Sequence, residues 1–471
     1  MSQTDDLNYA TIGDLAPAIR SQELSPVELT DAMLKRIASV DEKLNSYVTV
    51  MAESARVGAL KAQEEIEGGN YRGLLHGIPV AVKDLCYTHG VPTTGGLRVL
   101  RNFVPEADAT VVERLRAAGA IVLGKLNLTE GAMAGYHRDF DIPVNPWNES
   151  TWSGVSSSGS GVATAAGLCV ASLGSDTGGS IRFPSAANGI VGLKPTWGRV
   201  SRHGVLALSE TLDHIGPMTR SVYDSAVVLA AIAGVDINDP TSLSAPVPDL
   251  LHELEAGIHG VRIGYDANYS SEGTDPELLA AVEEAVATLK DLGATVVEIK
   301  MPESIRSLGD DWFTICSAEA VRAHAAWFPS QAGEYGEYFS DFLNGGTEVT
   351  SEQYAASMAV RYQFSQEFVR ILNAVDAIVS PAAGASISIT PGMQYGGVES
   401  MAPFMAPLQM HFTVPADFAG TPTLTLPCGR STTGNPFGLQ LMGSQLTEPM
   451  LCRIGHAYES ATEWHKLHPP L

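Results

Sequence analysis

Three short segments of this 471-residue chain combine residue types able to do covalent chemistry: GSDTGGSIRFPSAANG around Ser180, WSGVSSSGSGVATAAG around Ser156, and GIPVAVKDL around Lys83. In the first, Gly178-Gly179-Ser180 after Asp176-Thr177 lets the chain turn tightly and exposes successive backbone N–H groups with no side chain in the way. A hydroxyl set among such donors has the form of an oxyanion hole with its nucleophile. The same Gly/Ser-rich pattern ahead of an Ala-rich helix also suits a phosphate cradle, because helix N-termini bind anions. Neither serine loop continues into Gly-Lys-Ser/Thr, however, and neither has GxGxxG spacing, so the nucleotide reading loses its main support. Lys83 closes the apolar run IPVAV, where an amine must reach water or find partners. A desolvated lysine gives up its proton readily and can act as a neutral base at ordinary pH; the plainer alternative is the polar end of a strand.

The elements that must hold these segments alternate between helix and strand. Ser25-Pro26-Val27-Glu28 has the form of a capping box with proline at the first helical position, and Leu29, Met33, Ile37, Val40 and Leu44 follow at helical spacing. ATVVERLRAAG (109–119) reads as a helix closed by Gly119 and followed by the apolar run AIVLG. PELLAAVEEAVATLKDLG (276–293) followed by ATVVEIK repeats that order. Further strands are expected at 77–82, 261–265, 376–380, 423–427 and 438–443. The predicted fold class is therefore α/β, a large mixed and largely parallel sheet covered by helices on both faces. NDPTSLSAPVPDL (238–250) is the best candidate for a surface joint, and the aromatic-rich stretch from about 300 to 375 for a pocket wall.

Composition excludes several function classes. With 45% hydrophobic and 17% charged residues the chain can bury a large core, which rules out disorder. Acidic residues outnumber basic ones 53 to 29, for a formal charge of −24. Such a surface repels phosphate backbones and anionic membranes, so no nucleic-acid or membrane partner is expected, and the charge reads mainly as solubility. The N-terminus lacks the basic and apolar pattern of a secretory signal, and the longest apolar segment is too short for a bilayer; a cytoplasmic location is expected. The five cysteines form no CxxC pair and no histidines stand at ligand spacing, so no metal and no cofactor is expected, and the cysteines read as small apolar fillers.

The three segments together resemble the amidase signature family, whose hallmark is a Ser-Ser-Lys triad. Its G(I/V)P-x-x-(V/I)KD segment matches the residues up to Lys83, its GGSSGGS-like loop matches the residues around Ser156, and its GSDTGGSIR motif matches those around Ser180, 24 positions later. VGLKPTWGRVSRHG, LDHIGPMTRSV, GTPTLTLPCG and GLQLMG extend the likeness over nearly the whole chain. The resemblance implies a single amidase signature domain over 1–471, with its signature core at about 70–235, a more variable pocket half at about 250–400, and closing strands and helix at about 410–465. It implies an amidohydrolase that cleaves a carbon–nitrogen bond: Ser180 as nucleophile, Ser156 as bridging residue, Lys83 as base, and the amides of Thr177, Gly178, Gly179 and Ser180 as oxyanion donors. Asp176 and Arg182 are expected to form an ion pair that holds the loop.

The sequence also departs from the family pattern. Val155 stands where a glycine usually precedes the bridging serine, which leaves open whether the Val155–Ser156 peptide is cis, as the resemblance implies. Ser158 replaces a loop glycine, and Asp417 stands where the family commonly has asparagine. Candidate pocket residues are Met133, Tyr136, His137 and Asp417, with Trp312 and Phe412 as further aromatics; each also fits a core or surface role. An acidic Asp417 would attract an amine-bearing substrate or cap a turn. The expected partner is a small-molecule amide, with aryl amides, carbamates and esters in range. Rival readings are the glutamine-hydrolysing component of a tRNA-dependent amidotransferase and a non-catalytic scaffold, and oligomeric state, a homo-oligomer included, is left open.

Overall fold

A computed structural model describes residues 7–471. The first long helix, Pro26–Leu44, starts where its capping box places it: Ser25 Oγ accepts from the amides of Val27 (3.0 Å) and Glu28 (3.4 Å), and Glu28 Oε2 accepts from the Ser25 amide (3.2 Å). The helices Thr110–Ala117 and Pro276–Asp291 each lead into a strand, as expected. Eleven strands form one continuous sheet: β1 (Tyr47–Val50), β2 (Pro79–Lys83), β3 (Ile121–Leu126), β4 (Ala171–Asp176), β5 (Val191–Lys194), β6 (His214–Thr219), β7 (Arg262–Tyr265), β8 (Thr295–Glu298), β9 (Ala377–Pro381), β10 (Thr423–Arg430) and β11 (Pro436–Met442). Their order is β1-β3-β2-β4-β6-β5-β10-β11-β9-β7-β8, so strands from 171–219 and from 423–442 meet at its centre.

The mixed α/β sheet agrees with the sequence reading, but its parallel share is smaller than expected. Only the β3-β2-β4 and β9-β7-β8 stretches pair in parallel, while β4-β6-β5-β10-β11-β9 is antiparallel throughout. For one of these pairs the reason is connection length: β10 returns as β11 through residues 431–435, too short for the crossover a parallel neighbour needs. Helices cover both faces. Side chains alternate along β10, so Leu424 and Leu426 face the helix Glu448–Ala461, whose Gly455 lies against them. The opposite face, carrying Thr425 and Gly438, meets Ala186 of the helix Arg182–Asn188. The five cysteines are buried with free thiols, and among the described residues no helix is long and apolar enough to cross a membrane.

Candidate active site

The site forms at the C-terminal ends of two neighbouring parallel strands, the usual location of sites in α/β sheets. Lys83 is the last residue of β2 and Asp176 the last of β4, and the two strands pair through Val82 and Leu173. The Ser156 loop runs into the helix Ser158–Ala165, and the Ser180 loop into the helix Arg182–Asn188. The loops are pressed together. The Ser157 amide donates to the Ser180 carbonyl at 3.3 Å, and a Cβ on Gly154 (φ +95°) would lie 2.3 Å from Pro184 Cα. Glycine at 154 is thus fixed by both its backbone angle and the close approach. The Val155–Ser156 peptide is cis.

Lys83 has no exposed surface and, among the described residues, no carboxylate in contact; its Nζ lies 2.6 Å from Ser156 Oγ, 2.8 Å from Ser175 Oγ and 2.9 Å from Ser157 Oγ. Burial drives its pKa down to about 7, only partly opposed by the nearby Asp176 and Asp213. A proton count shows where a lone pair on a neutral amine would point. Ser157 gives its hydroxyl proton to the Ser175 carbonyl (3.1 Å) and accepts the Ser175 amide (3.2 Å), so toward Lys83 it can only accept. The lone pair therefore turns to Ser156 or Ser175, and Ser156 is nearer. Asp84, next in sequence, belongs to a different cluster: it pairs with buried Lys125 at 2.9 Å and accepts from Thr94.

The Ser180 loop is organised by one carboxylate. Asp176 Oδ1 accepts from the Gly179 amide (2.8 Å), Oδ2 from the Ile181 amide (2.9 Å), and Arg182 binds both oxygens through Nη2 (2.8 Å) and Nε (3.1 Å). Gly179 thereby departs from the expected donor set, since its amide is already committed to Asp176. Among the described residues the amides of Thr177, Gly178 and Ser180 have no partner within the chain, and none is hydrogen-bonded to the Ser180 hydroxyl. Ser180 is 8% exposed, whereas Ser156 is fully buried. A slightly exposed serine hydroxyl in a loop packed against a buried lysine–serine pair suits acyl transfer.

Asp417 is not a pocket residue. It is fully buried on the helix Val414–Ala419, where its Oδ2 lies 2.7 Å from Arg182 Nη2, making it the second carboxylate on that guanidinium. Burial pushes the Asp417 carboxyl up, whereas for Asp176 the opposing burial is outweighed by Arg182, which holds it well below the usual range. Arg182 Nη1 also donates to the Thr413 carbonyl at 2.7 Å. The ion pair expected for Asp176 and Arg182 is present; its third member is 235 residues away in sequence, beyond any spacing rule.

The other expected pocket residues take supporting places. Tyr136 is buried, with its hydroxyl 2.7 Å from Ser158 Oγ, and His137 Nδ1 accepts from the Asp139 amide at 3.0 Å. The Met133 carbonyl accepts from Thr129 Oγ1, in the turn whose Thr129 amide donates to the Ser156 carbonyl. Phe412 is buried beneath Tyr269, and Trp312 lies directly against the Ser180 loop. Sequence reasoning missed Ser175, Asp213 and Thr413. Asp213 accepts from Thr177 Oγ1 at 2.6 Å, and Thr413 Oγ1 donates to the Gly178 carbonyl at 2.7 Å. Ser175 sits one residue before Asp176 on a strand that the structure, but no sequence pattern, sets beside the lysine's.

The chain matches the family model Amidase over residues 28–452. It is 42% identical over 467 residues to a protein of Mycobacterium tuberculosis (strain ATCC 25618 / H37Rv) assigned the name amidase AmiD, covering 99% of this chain and 97% of that one. It is 39% identical to the A-type component of the glutamyl-tRNA(Gln) amidotransferase of Geotalea daltonii, covering 98% and 99%. Among solved structures, the native peptide amidase of Stenotrophomonas maltophilia superposes with a TM-score of 0.84 at 32% identity, covering 99% of both chains. The match across nearly the full length, together with a buried lysine joined to a serine of one loop and a second serine loop packed against it, places this chain in the amidase signature family, as an enzyme acting on amides.

Proposed function

We propose that the protein hydrolyses the carbon–nitrogen bond of a small-molecule amide through an acyl-enzyme on Ser180. The observation that carries the reading is the 2.6 Å contact between Lys83 Nζ and Ser156 Oγ in a site where burial favours the neutral amine. Lys83 accepts the proton of Ser156 while Ser156 accepts that of Ser180, and Ser180 Oγ bonds to the substrate carbonyl carbon. The carbonyl oxygen becomes an oxyanion held by the free amides of Thr177, Gly178 and Ser180. As the carbon–nitrogen bond breaks, Ser156 protonates the departing amine and recovers a proton from Lys83. Water, deprotonated by the same relay, then releases the acid and restores Ser180.

The reading treats 1–471 as one amidase domain, supported by the unbroken eleven-stranded sheet. A cytoplasmic location fits the five reduced, buried cysteines. The likeness to the glutamyl-tRNA(Gln) amidotransferase component keeps a second reading in view, glutamine hydrolysis on behalf of partner chains. The test is amine and ammonia release by the purified protein from aliphatic, aryl, amino-acid and peptide amides and carbamates, with Ser180→Ala as control. Release that disappears in the variant establishes the free-standing amidase. Activity that persists in Ser180→Ala refutes the nucleophile, and glutamine turnover only with added partner chains replaces this reading with the second.

A further inference from the structure

The Thr177–Gly178 peptide is held from outside the signature segments. The helix Leu308–Ala323 presents Trp312, 4% exposed, so that its indole Nε1–H donates to the Thr177 carbonyl at 2.8 Å. The ring lies flat enough against Gly178 that a Cβ there would sit 2.6 Å from Cζ2 and 2.7 Å from Cε2. The next peptide, Gly178–Gly179, is held separately: its carbonyl accepts from Thr413 Oγ1 at 2.7 Å and its N–H donates to Asp176 Oδ1 at 2.8 Å. The Thr177 side chain is tied to Asp213 at 2.6 Å. Both ends of the second peptide are therefore occupied, but only the carbonyl end of the first is.

In a trans peptide the carbonyl and the N–H point in opposite directions. A donor that fixes the Thr177 carbonyl consequently fixes the direction of the Gly178 N–H, which has no partner in the chain among the described residues. We infer that Trp312 is a positioning residue for the reaction: by binding the Thr177 carbonyl, its indole aims the Gly178 amide at the oxyanion that forms when Ser180 attacks. The inference rests on the proposed function, and adds to it a residue outside the three signature segments that sets the oxyanion hole. Phenylalanine would keep a smaller ring here and leave the carbonyl unheld, whereas benzothienylalanine would keep the shape as well, so the two together separate the indole N–H from the ring.

The test compares wild type, Trp312→Phe, Thr413→Val and Ser180→Ala on the best substrate of the panel and on the aldehyde bearing the same acyl group. The aldehyde adds reversibly to Ser180 and places its oxygen where the oxyanion forms. Misaiming one donor costs less than removing it, so Trp312→Phe is expected to lower kcat by about 10- to 100-fold with KM within about twofold. Aldehyde affinity should weaken by the same factor as kcat/KM. Thr413→Val should lose less, because the peptide it holds sends its N–H to Asp176. Equal losses in the two variants, a change in KM alone, or unaltered aldehyde affinity would overturn the inference. If Trp312→Phe does not fold, benzothienylalanine at position 312, which exchanges N–H for sulfur in the same shape, makes the same comparison. With Ser180→Ala inactive, a silent Trp312→Phe removes this inference alone; with Ser180→Ala active, the proposed function fails as well.

Discussion

The base is the most exposed point of the proposed mechanism, and its behaviour can be worked from its surroundings. Lys83 is wholly buried, is held by three serine hydroxyls, and has its pKa lowered to about 7 by desolvation. The neutral amine is the active form, so activity must rise with pH: with half the molecules competent near pH 7, about one tenth are at pH 6, and kcat/KM falls about tenfold for each unit below that. Above about pH 8 it levels off. Lys83→Met keeps an unbranched side chain one atom shorter but removes the proton acceptor, with an expected loss of about 10² to 10⁴ in kcat at every pH, the usual worth of a positioned general base. Amide turnover and the rate of fluorophosphonate labelling, both followed from pH 5.5 to 9, report the same ionisation, because each requires Ser180 to be activated. A flat wild-type profile across that range, or Lys83→Met with near-normal turnover, would refute the relay.

Two further outcomes follow from the packing behind the loop. Arg182→Lys removes the fork that binds Asp176 through two nitrogens while also reaching Asp417 and the Thr413 carbonyl, and a single ammonium cannot replace it. The expected loss is about 3–5 kcal/mol of stability in urea unfolding, as for other broken buried pairs, and a change below about 1 kcal/mol would contradict the role given to Arg182. Gly178→Ala places a Cβ 2.6 Å from Trp312 Cζ2 and must displace either the loop or the indole. Its kcat should fall by about 10² or more while the fold persists by circular dichroism, and normal turnover would show that the loop tolerates movement.

What the sequence made legible follows from how local each signal was. The capping box at Ser25 and the helix-strand pairs at 109–126 and 276–298 are short-range patterns, and they lie where expected. The strands β4 and β6 escaped notice because ASLGSD and HIGPMT dilute their apolar character with glycine, serine and, at Pro217, a residue rare in central strands. That omission hid the antiparallel centre of the sheet and, with it, Ser175 as a partner of Lys83. Asp417 was misjudged for a different reason. Its charge suggested a substrate contact, but its partner was decided by which surface the helix Val414–Ala419 turned toward Arg182, and no spacing in the chain encodes that. The commitment of the Gly179 amide to Asp176 was equally invisible, since a Gly-Gly-Ser run says that N–H groups are exposed but not which of them already has an acceptor.

The shared guanidinium has an electrical consequence for the reaction. Asp176 and Asp417 both bear on Arg182, and the buried Lys194 acts on both, so the charge behind the loop proposed to receive the oxyanion depends on how these four groups are ionised. Burial pushes the Asp417 carboxyl up against the pull of Arg182 and Lys194, while Arg182 holds Asp176 well below the usual range. The nearer this group is to neutral, the less it opposes an oxyanion formed in front of it on the backbone dipoles. Asparagine at this position would fix the charge of the cluster, whereas aspartic acid ties the field behind the loop to the ionisation of one buried carboxyl.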